Sequence, residues 1–243
     1  MGDTDRAVLP DGGHLSGEDL VAAMDAAARS LIQAGGQEQA AERIVTAAVA
    51  TVPRVTQAGI SLVEQSRTVR SHAPSTAVVG ELDRLQNELG EGPCLQAIHA
   101  ETRIDVPDTA ASAFRWPRWT AVARERGVGS MLCLQLFARD GSAGALNLYA
   151  SEPHAFDDDA HHLAGLFAAH AATTLYGAQQ VDHLRRAVAS RDDIGQAKGI
   201  LMERFSLTPD QAFDMILRTS QDTNVKVHDV ARFLIGQVSA RSG

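Results

Sequence analysis

The chain has 243 residues, 44% of them hydrophobic, and a formal net charge of −8. That length fits one or two packed domains, and two are expected. No apolar run reaches the roughly eighteen residues of a membrane span, and the opening MGDTDRAVLPDGGH is polar and acidic rather than a secretory signal, so a cytoplasmic protein is expected. Cys94 and Cys133 show no CxxC spacing and no Cys/His pattern, which argues against a disulfide framework or a zinc site.

Residues 1–14 have no periodicity and are expected to be a mobile tail. From Ser16 the spacing of Leu20, Met24, Ala27 and Leu31 predicts a helix that ends at Gly35–Gly36. A second helix carries Ala41, Ile44, Val45, Ala48 and Val52 and stops at Pro53. GISLVE and TVRSHA, joined around Gln65–Ser66, read as a hairpin. A helix over Val78–Leu89 is followed by Gly90-Glu-Gly-Pro-Cys-Leu, with Pro93 opening a helix that runs to Ala100 and places Cys94 in its first turn. RIDVPD predicts a strand and residues 115–126 a helix, and then SMLCLQLFA and ALNLYAS predict two strands linked at Arg139–Ser142. Five strands interleaved with helices give an α+β domain whose antiparallel sheet is covered by helices.

A long helix is expected from Phe156, with Asp157, Asp158 and Asp159 complementing its dipole, and nothing stops it before Ser190. Leu163, Phe167, His170, Thr174, Gly177, Val181, Leu184 and Val188 alternate spacings of four and three, the rhythm of a coiled-coil dimer seam. Its N-terminal half is expected to pack on the sheet and its C-terminal half to pair with a second chain. Asp157, Asp158, His161 and His162 are read as a solvated helix start rather than a metal site, because adjacent helical residues do not face one another.

Residues 190–234 read as three short helices. In the first, Ile194, Ala197, Leu201 and Phe205 form a packing stripe, while Arg191, Gly195, Lys198 and Met202 line the neighbouring face, where a phosphate could approach between two cations. Thr208, Pro209 and Gln211 have the pattern of a capping box, and Ala212, Phe213, Ile216 and Leu217 supply the apolar side of the second helix. The run from Arg218 to Asn224 is taken as a polar connection, and Val227, Val230, Ala231, Leu234 and Val238 give the third helix its buried face. Residues 182–243 hold nine Lys/Arg and eight Asp/Glu, hence +1; residues 1–181 hold thirteen and twenty-two, hence −9. Nucleic-acid binding by such a unit must rest on a few placed cations rather than a bulk basic surface. Periodicity alone leaves a helix-turn-helix DNA binder and an RNA binder equally open.

The string Arg191-x-x-Ile194-x-Gln196-Ala197-Lys198-Gly199-Ile200-Leu201-Met202, with Ala212-Phe213, Asn224 and Asp229-Val230-Ala231, resembles the ANTAR domain of bacterial transcription antiterminators. The resemblance implies a three-helix unit (190–240) that binds RNA with two small stem-loops and prevents a terminator hairpin from forming. On that reading Arg191 and Lys198 contact phosphate, and Gly195 and Gly199 permit close approach beside Met202. Gln196, Arg218, Ser220, Asn224 and Lys226 then offer hydrogen bonds to bases or backbone. The order of elements over 16–176, with its GEGPC turn, resembles a GAF domain, which implies a sensory module with a ligand pocket between the sheet and its covering loops. Residues 156–190 would connect sensor to output. No cofactor follows, and no GxSxG, Walker A or HExxH motif is present, so no enzyme is expected. The alternatives are a DNA-binding regulator with the same sensor, and a GAF-type thiol redox enzyme using Cys94, whose thiolate a helix N-terminus would favour and for which Cys133 is the one possible resolving thiol. Trp116 and Trp119, beside Arg115 and Arg118, are taken as core, with a ligand lid as the other reading.

Overall fold

The computed structural model describes residues 36–63, 69–99, 103–136 and 144–239. The tail at 1–14, the helix read from Ser16 and the two turns at Gln65–Ser66 and Arg139–Ser142 lie outside the described residues. In chain order the elements are α1 (Gln37–Thr51), β1 (Gln57–Val63), β2 (Val69–His72), α2 (Ala77–Leu89), α3 (Pro93–His99), β3 (Arg103–Val106), a 3-10 turn (Ala111–Phe114), α4 (Pro117–Glu125), β4 (Ser130–Leu136), β5 (Gly144–Ala150), α5 (Asp158–Phe205), α6 (Pro209–Thr223) and α7 (Val227–Ser239).

The chain divides into two compact units, Met1–Gln179 and Gln180–Gly243. In the first, five strands form one sheet in the order β2-β1-β5-β4-β3, every neighbouring pair antiparallel. The two central strands, β5 and β4, are buried along nearly their whole length, because helices cover both faces. On one face Leu132, Leu134, Leu146 and Leu148 meet Ile44 and Val45 of α1 and Ala164, Phe167 and Ala171 of α5. On the other, Met131, Cys133, Ala145 and Tyr149 meet Val79 and Leu82 of α2, Cys94 and Ala97 of α3, and Trp119 and Ala123 of α4. Alternation along each strand thus divides the side chains between two cores. The predicted α+β class with five strands is the observed one. The helix expected over 115–126 begins at Pro117, whose fixed φ suits a first turn, and the residues before it take a 3-10 turn.

Two histidine–carboxylate contacts pin helices to opposite edges of the sheet. His72 Nδ1 of β2 lies 3.0 Å from Glu38 Oε2 of α1, and His161 Nε2 of α5 lies 2.9 Å from Asp105 Oδ2 of β3. His161 is thereby engaged with the sheet edge rather than with its neighbours at the helix start. Asp157 Oδ1 accepts from Ala160 N at 2.8 Å and so caps that helix end.

Helix α5 continues through Ser190 without a break and supplies the first helix of the second unit. There Ala197 and Leu201 of α5, Ala212 and Ile216 of α6, and Val230 and Ala231 of α7 form a small core. The Thr208–Gln211 capping box is complete, with Gln211 N donating to Thr208 Oγ1 and Thr208 N to Gln211 Oε1. Two expectations are corrected here. Phe205, assigned to the packing stripe, is 53% exposed. The run from Arg218 is not a connection, because α6 extends to Thr223 and ends at Asn224, whose left-handed φ of 53° closes the helix.

Candidate functional sites

A largely buried polar centre sits on the α2–α4 face of the sheet. Asp83 of α2 accepts hydrogen bonds from Ser71 Oγ (2.8 Å), Tyr149 OH (2.8 Å) and Asn147 Nδ2 (3.1 Å), and Asn147 Nδ2 also lies 3.1 Å from Ser61 Oγ. Ser61 and Ser71 are register partners on β1 and β2, and Asn147 and Tyr149 project two residues apart from β5, so three strands converge on one carboxylate. Gly59 makes the approach possible: a Cβ there would stand 2.6 Å from Val79 Cγ1 and 3.1 Å from Asp83 Oδ2. Burial pushes the Asp83 pKa up, opposed by the hydrogen bonds from Ser71, Tyr149 and Asn147. The Tyr149 hydroxyl is raised well above its usual value by burial and by the Asp83 charge.

The Gly90–Cys94 segment wraps this centre. Gly90, at φ 64°, ends α2. Glu91 then turns toward α4, where its Oε1 accepts from Arg118 N (2.8 Å) and Trp119 N (3.0 Å), filling the role of an N-cap from a distant loop. Arg118 closes the clamp through Glu91 Oε2 (3.3 Å) and the Leu89 carbonyl (2.9 Å). Burial alone would raise the Glu91 pKa; the backbone donors of Trp119 and Arg118 and the Arg118 side chain outweigh it and hold the carboxyl below its usual range. Gly92 takes φ 146° against Gln86, whose Oε1 accepts from Cys94 N at 2.8 Å. Cys94 is therefore not the activated thiol that its place in a first turn suggested. Burial first, then the Asp83 charge, push its pKa up to about 12, and Cys133 is raised as well. Trp116 and Trp119 are both buried, in an edge-to-face pair with centroids 6.4 Å apart, and Arg115 stacks 4.5 Å from the Trp116 ring. A groove of about 520 Å³ lies at the β3–β4 edge beside α5, lined by Arg103, Leu134, Gln135, Gly165, Ala168, Ala169 and Ala172.

In the second unit Arg191, Gly195, Gln196 and Gly199 are exposed on α5, and open space faces the Cα of both glycines. Lys198 reaches across to α6, its Nζ 5.7 Å from the Phe213 ring centroid. Met202 is partly buried against the small core. Arg218 and Lys226 are exposed. Ser220 and Asn224 have structural employment: Ser220 Oγ donates to the Val225 carbonyl at 2.5 Å, and Asn224 is the left-handed cap. The structure thus joins Lys198 to a phenylalanine that the sequence reading placed in the apolar side of α6.

Of the seam residues, Leu163 and Phe167 are fully buried in the first unit, Phe167 against the sheet, so neither has surface left for a second chain. Leu166 takes their place on the outer side of α5, at 47% exposure. His170 is exposed, with Nδ1 3.1 Å from the Leu166 carbonyl, and Thr174 is half-buried. Val181, Leu184 and Val188 remain exposed.

The comparisons with known proteins agree with this division. A family model described as the GAF domain matches residues 36–175, and one described as the ANTAR domain matches residues 182–235. No curated protein matches the chain. Among solved structures, the free methionine-R-sulfoxide reductase from Neisseria meningitidis is similar with a TM-score of 0.52 at 15% identity, over 72% of this chain and 98% of that one. The GAF domain of an Acinetobacter phosphoenolpyruvate-protein phosphotransferase gives 0.50 at 13%, over 65% and 93%. A bacteriophytochrome from R. palustris gives 0.54 at 10%, over 87% and 47%. Identities this low establish a shared fold and no shared chemistry.

Proposed function

We propose, from the premise that this chain belongs to the GAF domain family and carries an ANTAR domain behind it, that it is a signal-responsive antiterminator whose output unit binds RNA with two small stem-loops as a dimer. The GAF domain implies a sensor and the ANTAR domain implies RNA-binding antitermination. On this reading residues 16–176 form the sensor, 156–190 the connecting helix and 190–240 the output. What carries it is the placing of cations on a unit of charge +1: Lys198 on α5 and Arg218 on α6, with Lys226 before α7, stand outside a core that uses none of them. A few positioned cations suit a folded RNA better than the long backbone track of a duplex. Arg191, Lys198, Arg218 and Lys226 would contact phosphate, with Gly195, Gln196 and Gly199 allowing close approach. Ser220 and Asn224 would act through the fold of the α6–α7 turn.

Pairing of two chains would run along Leu166, Val181, Leu184 and Val188, an apolar stripe left exposed among the described residues. The sensor signal would act near Asp83 or at the loops around it, since Glu91 and Gln86 tie those loops to the buried centre. A thiol redox role for Cys94 finds no support: with the thiol pKa at about 12, thiolate is scarce near neutral pH. Among the described residues no helix is long and apolar enough to cross a membrane. The test is binding of wild type and Lys198→Ala to two-stem RNA, single-stem RNA and duplex DNA at one salt concentration. Selective two-stem binding that the variant loses supports the reading, and equal binding to duplex DNA favours the DNA-regulator alternative.

A further inference from the structure

We propose that Phe213 is a stacking platform for an unpaired base of the bound RNA and that Lys198 beside it holds the adjoining phosphate. This rests on the RNA reading above and adds to it which part of the RNA is contacted.

All three phenylalanines of the second unit are exposed: Phe205 at 53%, Phe213 at 37% and Phe233 at 66%. Its core is built instead from alanines and aliphatic residues. Large aromatic side chains left outside a small core cost hydrophobic stabilisation that burial would have supplied, so a ring held at a fixed exposed position is a candidate for contact. Phe213 is the one of the three that a cation adjoins among the described contacts, with Lys198 Nζ 5.7 Å from its centroid. Both partners are fixed by the residues next to them. Ala197 and Ala212 are each fully buried in the same small core, so Lys198 and Phe213, the residues after them, are carried on two helices rather than on a loop.

A ring beside an ammonium is what a nucleotide taken out of a stack requires. The base finds a flat π face, and its phosphate finds a positive charge one side chain away. A continuous duplex hides its base faces in the stack and cannot use the ring. The same pair therefore supplies a preference for RNA loops that the unit's small net charge cannot. Gly199, directly after Lys198, leaves space for a backbone to come close.

The test uses the full chain, the two-stem RNA and a series of the same RNA with one loop residue at a time made abasic, at fixed salt. Phe213→Leu keeps apolar bulk and removes the flat face; Phe213→Trp keeps a face. We expect Phe213→Leu to weaken binding about tenfold and Phe213→Trp to stay within about twofold of wild type. At one loop position the abasic RNA should cost wild type the same tenfold and cost Phe213→Leu nothing further. Wild-type affinity in Phe213→Leu overturns the platform, as does a loss that persists on every abasic RNA. If Lys198→Ala still abolishes RNA binding in that case, the RNA reading stands without the platform. If wild type shows no preference for RNA over duplex DNA, the RNA reading itself has failed.

Discussion

Replacing Gly92 by alanine tests whether the Gly90–Cys94 segment is locked to the buried centre. The new Cβ would stand 2.2 Å from Gln86 Oε1, 2.4 Å from its Cγ and 2.6 Å from its Cδ, so Gln86 must move. Once it moves, the buried Cys94 N–H loses the acceptor now 2.8 Å away, at a cost of about 1–3 kcal/mol. Alanine at φ 146° adds about 1–3 kcal/mol of backbone strain. The sum, about 2–6 kcal/mol, corresponds at about 3 °C per kcal/mol to a fall in Tm of about 6–18 °C for a unit of this size. Gly90→Ala is the control, because its φ of 64° is strained but its Cβ meets nothing within 4 Å, so only about 1–2 kcal/mol is expected. Both tryptophans of the chain, Trp116 and Trp119, belong to the first unit, so tryptophan fluorescence during thermal or urea unfolding reports the sensor alone. Equal destabilisation by the two substitutions would refute the Gln86 lock.

Thiol labelling at pH 8 gives a second check: a pKa of about 12 leaves Cys94 with roughly a thousandfold less thiolate than an ordinary cysteine, so it should react only as the sensor unfolds. Reaction at the free-thiol rate would contradict the buried geometry. The raised folded pKa of Asp83 means that the native sensor holds this proton more tightly than the unfolded chain, so the Asp83 contribution to stability falls as pH rises from the usual aspartate range through the folded value. Asp83→Asn should therefore gain stability relative to wild type as pH is raised from about 4, read by urea unfolding; a gap independent of pH would refute the assignment. Thr208→Ala removes one half of the capping box and should cost the output unit about 1 kcal/mol, seen as an earlier loss of helical circular dichroism with unchanged tryptophan emission. Leu184→Glu, at a side chain 67% exposed in the single chain, should leave folding intact and shift the sedimentation profile toward monomer if the outer stripe of α5 is the pairing surface.

Much of the fold was legible because periodicity reports burial directly. The strands carrying GISLV, SMLCLQL and ALNLYA, the capping box at Thr208 and the apolar spacing of Val227–Leu234 each state a local preference that the packing then satisfies. The sensor centre was harder to see, because its members look like interruptions: Ser61, Asn147 and Tyr149 sit at inward strand positions, and Asp83 and Gln86 share the buried side of α2 with Val79 and Leu82. A polar residue at an apolar position was the available signal. It becomes informative only when partners from other elements are known to meet it. Glu91 capping α4 from 27 and 28 residues away is likewise a tertiary fact. The heptad through Leu163 and Phe167 does not by itself tell packing from pairing, although the N-terminal half of α5 does pack on the sheet. An α5 that packs on its own sheet and one that pairs with another chain show the same rhythm, and only burial separates Phe167 from Leu166. In the output unit, hydrophobicity suggested that Phe205 and Phe213 were packed, whereas the three-helix core closes over residues no larger than leucine and isoleucine and leaves both rings outside.

The most direct measurement of the central claim is an RNA-binding titration of the full chain at physiological salt with two-stem RNA, a single-stem control and duplex DNA, for wild type and Lys198→Ala. Tight binding to the two-stem RNA, weaker binding to the others, and loss of the preferred complex in the variant are expected, with the slope of log affinity on log salt reduced by about one phosphate contact. Equal affinity for duplex DNA, or a Lys198→Ala chain that binds the two-stem RNA as wild type does, would contradict that claim.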